Sequence, residues 1–316
     1  MAIETIESFC SQAVSHMKAG LGPKVLLPTD PAYIVREESY WASNTRLKPA
    51  CILVPESAEE VSSALKSLVA AQQRFAIRSG GHSPSPGANN MADGVTIDLS
   101  HLNTVTFDPA TETAHIGAGA KWTGVYEELL KYGRAVAGGR SGDVGVSGLL
   151  LGGGSSWMAA RYGWACDAVL AFEIVLADGR IVTVDKDSNT DLYQALKGGS
   201  NNFGIVTSFV MTALPTGQVW AGIAATPKEA IPEVVDVMYN FTEGNSKHQD
   251  SYLMIVIGYF PAFKDNVAST AFLEAKGDAN AAEFDGWRKL PKIMDTSKIT
   301  TIYDMAANIT LPPNYQ

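Results

Sequence analysis

The chain has 316 residues, 46% of them hydrophobic and 18% charged, with a formal net charge of -9. That supplies enough apolar material for one large or two ordinary cores, and the acidic balance argues against nucleic acid or an anionic membrane surface as a partner. No apolar run approaches the ~20 residues of a membrane-spanning helix, and Cys10, Cys51 and Cys166 form no CxxC pair, which leaves neither a zinc motif nor a thioredoxin-type couple and makes three buried thiols the simple reading.

At the N-terminus, Glu4 and Glu7 stand where a signal peptide would be positive, and no apolar h-region follows. No secretion address is therefore expected in the chain as written, and its location is open between cytoplasm and, for a mature form, secretion. Residues 22–45, with Pro23, Pro28 and Pro31, are expected to be irregular. A short strand follows from Cys51. The "SAEE" that begins at Ser57 is a capping box, with Glu60 reaching back, ahead of a helix that carries Val61, Leu65, Leu68 and Val69. With the next strand, "FAIRS", this predicts β-α-β: a parallel pair joined by a right-handed crossover. The loop "RSGGHSPSPGANN", Arg78 to Asn90, is longer than a turn requires.

"GVTIDLS" is the next strand, and "TVTFDPATETAHIGAGA" reads as a hairpin turning at Pro109 to Thr113. "KWTGVYEELLKYG" is an amphipathic helix stopped by Gly133, and "FEIVLADGRIVTV" is a hairpin with Asp178-Gly179 at its turn. "DLYQALKGG" is a helix and "FGIVTSFVMTALP" a strand. The pattern resets near Pro215, placing a domain over 1–215 (core about 46–215) and a second over 216–316. In the second, residues 219–241 read as strand then helix, "SYLMIVIGYF" is a long strand ended at Pro261, and the tail from Phe263 mixes short helices and strands.

The motifs of P-loop, Rossmann, HExxH and GxSxG proteins are all absent, so kinase and hydrolase readings have no anchor. Two glycine-dense segments remain: Gly80-Gly81-His82, and Gly138 to Ser156, "GGRSGDVGVSGLLLGGGSS". Glycine lets successive amides point one way and lets a ligand touch the backbone, which suits a pyrophosphate; tight turns are the alternative. His82 is the strong nucleophile of its loop, and an imidazole can bond to an electrophilic cofactor carbon; a solvated loop histidine is the alternative. Asp143 and Asp167 read as solvated or capping carboxylates. No metal-binding cluster is evident.

Together, "RSGGHS", "GVTIDLSHLN", "VGVSGLLLGGGSSWMAARYG" and "LKGGSNNFGIVT" resemble, over roughly residues 22–215, the FAD-linked oxidases of the vanillyl-alcohol-oxidase (PCMH-type) superfamily, in particular its berberine-bridge-enzyme-like branch in fungal form. This implies an α+β fold: a PCMH-type FAD-binding domain of two α/β subdomains, plus a partial substrate domain with an antiparallel sheet flanked by helices. It implies that Arg78, Ser79, Gly80, Gly81, His82 and Ser83 wrap the FAD pyrophosphate, with His82 linked to the flavin 8α carbon. Ser141, Val144, Gly145, Ser147, Gly148, Gly152, Gly153 and Gly154 would lie along flavin and phosphates, and Gly204, Ile205 and Val206 near the adenine. Ser141 stands where many members carry a second linking cysteine, so a single covalent link is expected.

Val144 falls at a position that gates dioxygen in the family, an ordinary packing valine being the alternative. The same resemblance makes Cys10 and Cys51 a possible disulfide pair. It implies an oxidase: hydride transfer from a small organic alcohol or amine to flavin N5, then reoxidation by dioxygen. A flavin-dependent cyclase of secondary metabolism and a non-catalytic flavin-binding remnant are the alternatives. Tyr252 is the catalytic candidate, and no oligomeric state is implied. Family chains continue past the equivalent of Gln316, into a part that finishes the substrate sheet and supplies further catalytic groups. Asn240-Phe241-Thr242 and Asn308-Ile309-Thr310 are glycosylation sequons.

Overall fold

The computed structural model describes Cys10 and residues 24–309. Glu4, Glu7, Thr310 and the C-terminal Leu311 to Gln316 lie outside the described residues. The elements described from residue 24 onward begin with β1 (Lys24–Leu26) and α1 (Pro31–Glu38). The segment expected to be irregular thus contains a helix. Pro31 starts it, at the first position, where a missing N–H costs nothing.

Next come β2 (Cys51–Val54), α2 (Ala58–Ala70), β3 (Phe75–Arg78) and β4 (Val95–Asp98). The strands form one sheet in the order β1-β2-β4-β3. β2 and β3 are parallel, as the β-α-β pattern predicts, but they are not neighbours: β4 enters between them and pairs with both. All four residues of β4 are buried, which a strand covered on both faces requires. The α2 cap also differs from expectation. The Glu60 amide donates to Ser57 Oγ (3.3 Å), but the Glu60 carboxylate accepts from the Glu56 amide (2.7 Å), one residue before the cap.

A second sheet, antiparallel throughout, is built from β5 (Val105–Asp108), β6 (Thr113–Gly117), β8 (Val169–Val175), β9 (Ile181–Asp185) and β10 (Ile205–Thr212), in the order β5-β6-β10-β8-β9. Both predicted hairpins are here, and Gly179 takes the positive φ (80°) that its turn demands. Between β6 and β10 run α3 (Trp122–Leu130), β7 (Arg134–Ala135), α4 (Val146–Leu151), α5 (Ala159–Tyr162) and α6 (Thr190–Leu196); β7 pairs with β11 (Leu214–Pro215).

The remaining chain makes β12 (Val219–Pro227), α7 (Ile231–Glu243), β13 (Ser251–Phe260), β14 (Asp265–Glu274), α8 (Asp285–Lys289), β15 (Met294–Asp295), β16 (Lys298–Thr300) and α9 (Ile302–Asn308). Its sheet runs β13-β14-β12-β15, with β16 also on β12, all antiparallel. β14, ten residues long, lies in the tail that was expected to hold only short elements.

One face of this sheet, with Leu253, Phe272 and Trp220, packs under α7 and α8 through Val234, Phe241, Phe284 and Trp287. The other face, with Ala221, Ala271 and Leu273, joins the larger core beneath the first two sheets. α9 returns to that core through Ile302, Met305 and Ala306, and the Ala306 carbonyl accepts from the Gly142 amide (2.9 Å). Among the described residues β13 pairs only with β14, and Val256, Ile257 and Tyr259 on it are 49%, 49% and 62% exposed.

Cys10 and Cys51 form a disulfide with Cα atoms 6.2 Å apart, which corrects the thiol reading for these two; Cys166 is a buried free thiol. Among the described residues no helix is long and apolar enough to cross a membrane, and no cluster of potential metal ligands occurs.

Candidate functional site

The loop from Ser79 to Gly94 leaves the end of β3 because a run of Gly, Pro, Ser and Asn cannot continue the strand. Its far end is pinned by Asn90. That side chain, fully buried, donates to the Glu37 carboxylate (3.0 and 3.1 Å) and to the Thr45 carbonyl (2.9 Å), and accepts from the Thr96 hydroxyl (3.0 Å). Its near end is braced by Arg78, which is 1% exposed. The guanidinium lies 3.7 Å from the Tyr40 ring centre and donates to the Arg36 carbonyl (2.6 Å) and to Ser39 Oγ (2.7 Å). Arg78 therefore stiffens the loop from behind and does not line the cleft, contrary to the expectation that it wraps a ligand.

Between these anchors the two glycine segments touch. A Cβ built on Gly80 would overlap the Gly145 amide nitrogen, and one built on Gly145 would overlap the Gly80 nitrogen and approach Ser79 Oγ. Only two residues without side chains permit this backbone-on-backbone contact. Ser79 and Ser147 both donate to the Ala118 carbonyl (2.8 and 2.6 Å), which ties the two segments to one point of the scaffold. Their hydroxyls are used in the structure itself. The amides of Gly80, Gly81, His82 and Ser83, by contrast, find no acceptor among the described residues.

The segments open onto a cleft of about 350 Å³. Of the residues expected to bind a cofactor, Ser79, Gly80, Gly81, His82, Ser83, Val144, Gly145, Ser147, Gly148, Gly204, Ile205 and Val206 line it. Ser141 and Gly152 to Gly154 do not. Gly153 and Gly154 adopt positive φ (95° and 80°), and their carbonyls accept from the Cys166 and Ala165 amides (2.9 and 2.8 Å), so they shape the turn after α4. Sequence reasoning missed Ile77, Leu99 and Leu151 on the apolar floor, and Ala88, Asn89, Ser200 and Asn201 on the rim. Asn89 is 9% exposed and its side-chain oxygen has no hydrogen-bond partner among the described residues. A buried amide is left unpaired at a cost unless a ligand completes it.

His82 stacks on Trp41, ring centres 5.9 Å apart and 15° from parallel. Burial first, and then the positive charge of Lys121, hold its pKa below the usual histidine value; Asp143, whose backbone takes a hydrogen bond from the ring, pulls the other way. Burial thus biases the imidazole toward its neutral form, in which one ring nitrogen carries a lone pair. Tyr252 lies outside the cleft. Its phenol oxygen accepts from Arg140 Nη1 (2.9 Å) and lies 3.2 Å from Ser155 Oγ, and its ring meets Trp157 edge-on.

A strand end, two apposed glycine loops and four amides without acceptors among the described residues make a site suited to an anionic, phosphate-bearing ligand against an apolar floor. Residues 49–185 match the family model described as "FAD binding domain". The chain is 38% identical, over 320 residues, to the FAD-dependent monooxygenase sdcF of Emericella nidulans, a match that spans 99% of this chain and 65% of that protein. It superposes on 6-hydroxy-D-nicotine oxidase from Arthrobacter nicotinovorans with a TM-score of 0.80 at 23% identity, over 92% of this chain and 64% of that one. On the berberine-bridge-enzyme-like protein 1 of Physcomitrella patens the TM-score is 0.78 at 19% identity, over 98% and 66%. Residues 49–185 thus carry an FAD-binding domain, and the chain has the α+β fold of these berberine-bridge-like oxidases. It spans about two thirds of the length of these relatives.

The cleft fits FAD, the group that the matched domain model names. The amides of Gly80 to Ser83, without acceptors among the described residues, suit a diphosphate, the unpaired Asn89 side-chain oxygen is open to a ligand donor, and the Gly80–Gly145 contact leaves backbone, rather than side chains, facing the opening.

Proposed function

We propose that this chain binds FAD in the cleft through a single covalent bond from His82 to the flavin 8α carbon. The protein that contains it is then an oxidase of a small organic alcohol or amine in specialised metabolism. The observation that carries this reading is the set of four consecutive amides without acceptors among the described residues, Gly80 to Ser83, beside the Gly145 backbone and including a half-buried imidazole that burial biases toward its neutral form. Bound FAD would supply the chemistry: hydride acceptance at N5 and return of the electrons to dioxygen.

The chain's own part is to hold and tune. The amides of the first loop cradle negative charge with no reorganisation, because Arg78 and Asn90 fix both ends of that loop. Ile77, Leu99, Leu151 and Ile205 keep water from the floor. His82 presents a lone pair at neutral pH because burial disfavours its protonation. Ser141 occupies the place of a second linking residue, and its hydroxyl is no substitute for a thiolate. Val144 leaves a half-buried apolar wall, in keeping with access for a small gas. The test is acid precipitation followed by tryptic mapping. Yellow colour retained in the pellet, with flavin mass on the peptide that contains His82 and on no other, is the expected result. Colourless protein, or flavin on a different peptide, refutes the proposal.

A further inference from the structure

We infer that Arg140, Tyr252 and the open end of the same face of the third sheet form a seat for a small substrate with an apolar body and an acidic oxygen, a carboxylate or an ionised enol. The inference rests on the proposed flavin reading for the reaction that the seat serves, though not for the seat itself. Arg140 and Ser155 flank the glycine-rich stretch whose middle lines the cleft, and both reach across to Tyr252. The Arg140 guanidinium also touches Met254 Sδ and lies 5.6 Å from the Tyr252 ring centre. It has no carboxylate partner among the described residues, whereas Arg36, Arg134, Arg161, Arg180 and Arg288 are each paired with an acid. Its contacts are a phenol, a thioether and a ring face, all neutral. A partly buried guanidinium retains several free donors in a planar fork, a geometry that matches an acidic oxygen group.

Alternation along β13 puts Tyr252, Met254 and Val256 on one face. Leu253 and Ile255 face the opposite way, into the core under α7 and α8. Where Tyr252 and Met254 sit, the face is packed against the larger core, but beyond them it opens: Val256 is 49% exposed and its cross-strand partner Ser269 is only partly buried. A cation at one end of an apolar strip, carried on the segment that continues into the cleft lining, selects a molecule with an acidic head and an apolar body. The Tyr252 oxygen accepts from Arg140, so its own hydrogen is available to Ser155 or to the ligand.

Calorimetric titration at pH 7 tests this with three probes: benzoate for the carboxylate, 4-hydroxy-6-methyl-2-pyrone for the acidic enol, and methyl benzoate as the neutral control. At least one acid is expected to bind, the tighter of the two identifying the head group, and methyl benzoate to bind at least ten-fold more weakly than benzoate. Arg140→Met should weaken the acid at least ten-fold, and Arg140→Lys and Tyr252→Phe each three- to ten-fold. Binding of neither acid, equal binding by wild type and Arg140→Met, or equal affinity for the neutral ester overturns the inference. Flavin absorbance of the same samples separates the two readings. A colourless protein that still binds acids through Arg140 defeats the flavin proposal alone, and a yellow one that binds none defeats the seat alone.

Discussion

His82 and the glycine pair carry the sharpest consequences of single side chains. Burial depresses the His82 pKa in the folded chain, whereas the unfolded imidazole takes up its proton at about 6.5. Between those two values the unfolded state binds more protons, so this contribution to stability is complete above about pH 6.5 and is lost as pH falls through the folded value. Thermal melts of flavin-free protein should show that slope, and His82→Gln should flatten it; an unchanged slope would assign it to other groups. Two glycines of one segment should behave oppositely. Gly145→Ala drives a methyl into the Gly80 backbone and should cost about 1–3 kcal/mol. At Gly148, within α4, a methyl meets no protein atom, so Gly148→Ala should stabilise the flavin-free chain by up to about 1 kcal/mol. Gly148 lines the cleft, however, and the same methyl should reduce flavin incorporation. Denaturant midpoints and flavin-to-protein absorbance ratios measure the two effects separately.

Among the elements, α2 depends on its cap. Ser57→Ala removes the acceptor of the Glu60 amide and should cost about 1 kcal/mol, read from the shift in denaturation midpoint at constant m-value. Segments of this kind were legible because local chemistry decides them. Asp178-Gly179 makes its hairpin turn through a positive φ, and Ser57 opens a helix whose apolar stripe is regular. Pro31 reads as part of an irregular stretch because a proline that starts a helix and one that breaks a chain look alike without tertiary context. The insertion of β4 between β2 and β3 is a non-local pairing with no mark in either strand. At the site, the touching loops were legible as glycine density and His82 as a nucleophile. Asn89 and Arg140 were not, since a buried unpaired amide and an unpaired guanidinium are defined by what does not surround them, which only coordinates reveal.

For the molecule as a whole, the disulfide and the return of α9 tie distant parts of the chain together. Cys10–Cys51 closes a loop with a sequence separation of 41, worth about 4 kcal/mol in the chain-entropy view. Cys10→Ser should therefore lower the melting temperature under oxidising conditions and have no effect once the wild type is reduced. α9 binds the glycine-rich segment through Gly142 and Ala306, so the last described helix and the cleft share one scaffold. The border of β13 that has no partner strand among the described residues has a further consequence. Ten residues without a charge, with a free rank of amides and carbonyls and Val256, Ile257 and Tyr259 turned outward, make a template onto which another extended chain can zip. Concentrated solutions of these 316 residues should scatter light increasingly with time, and Ile257→Lys, which sets like charges against each other between stacked copies, should keep them clear.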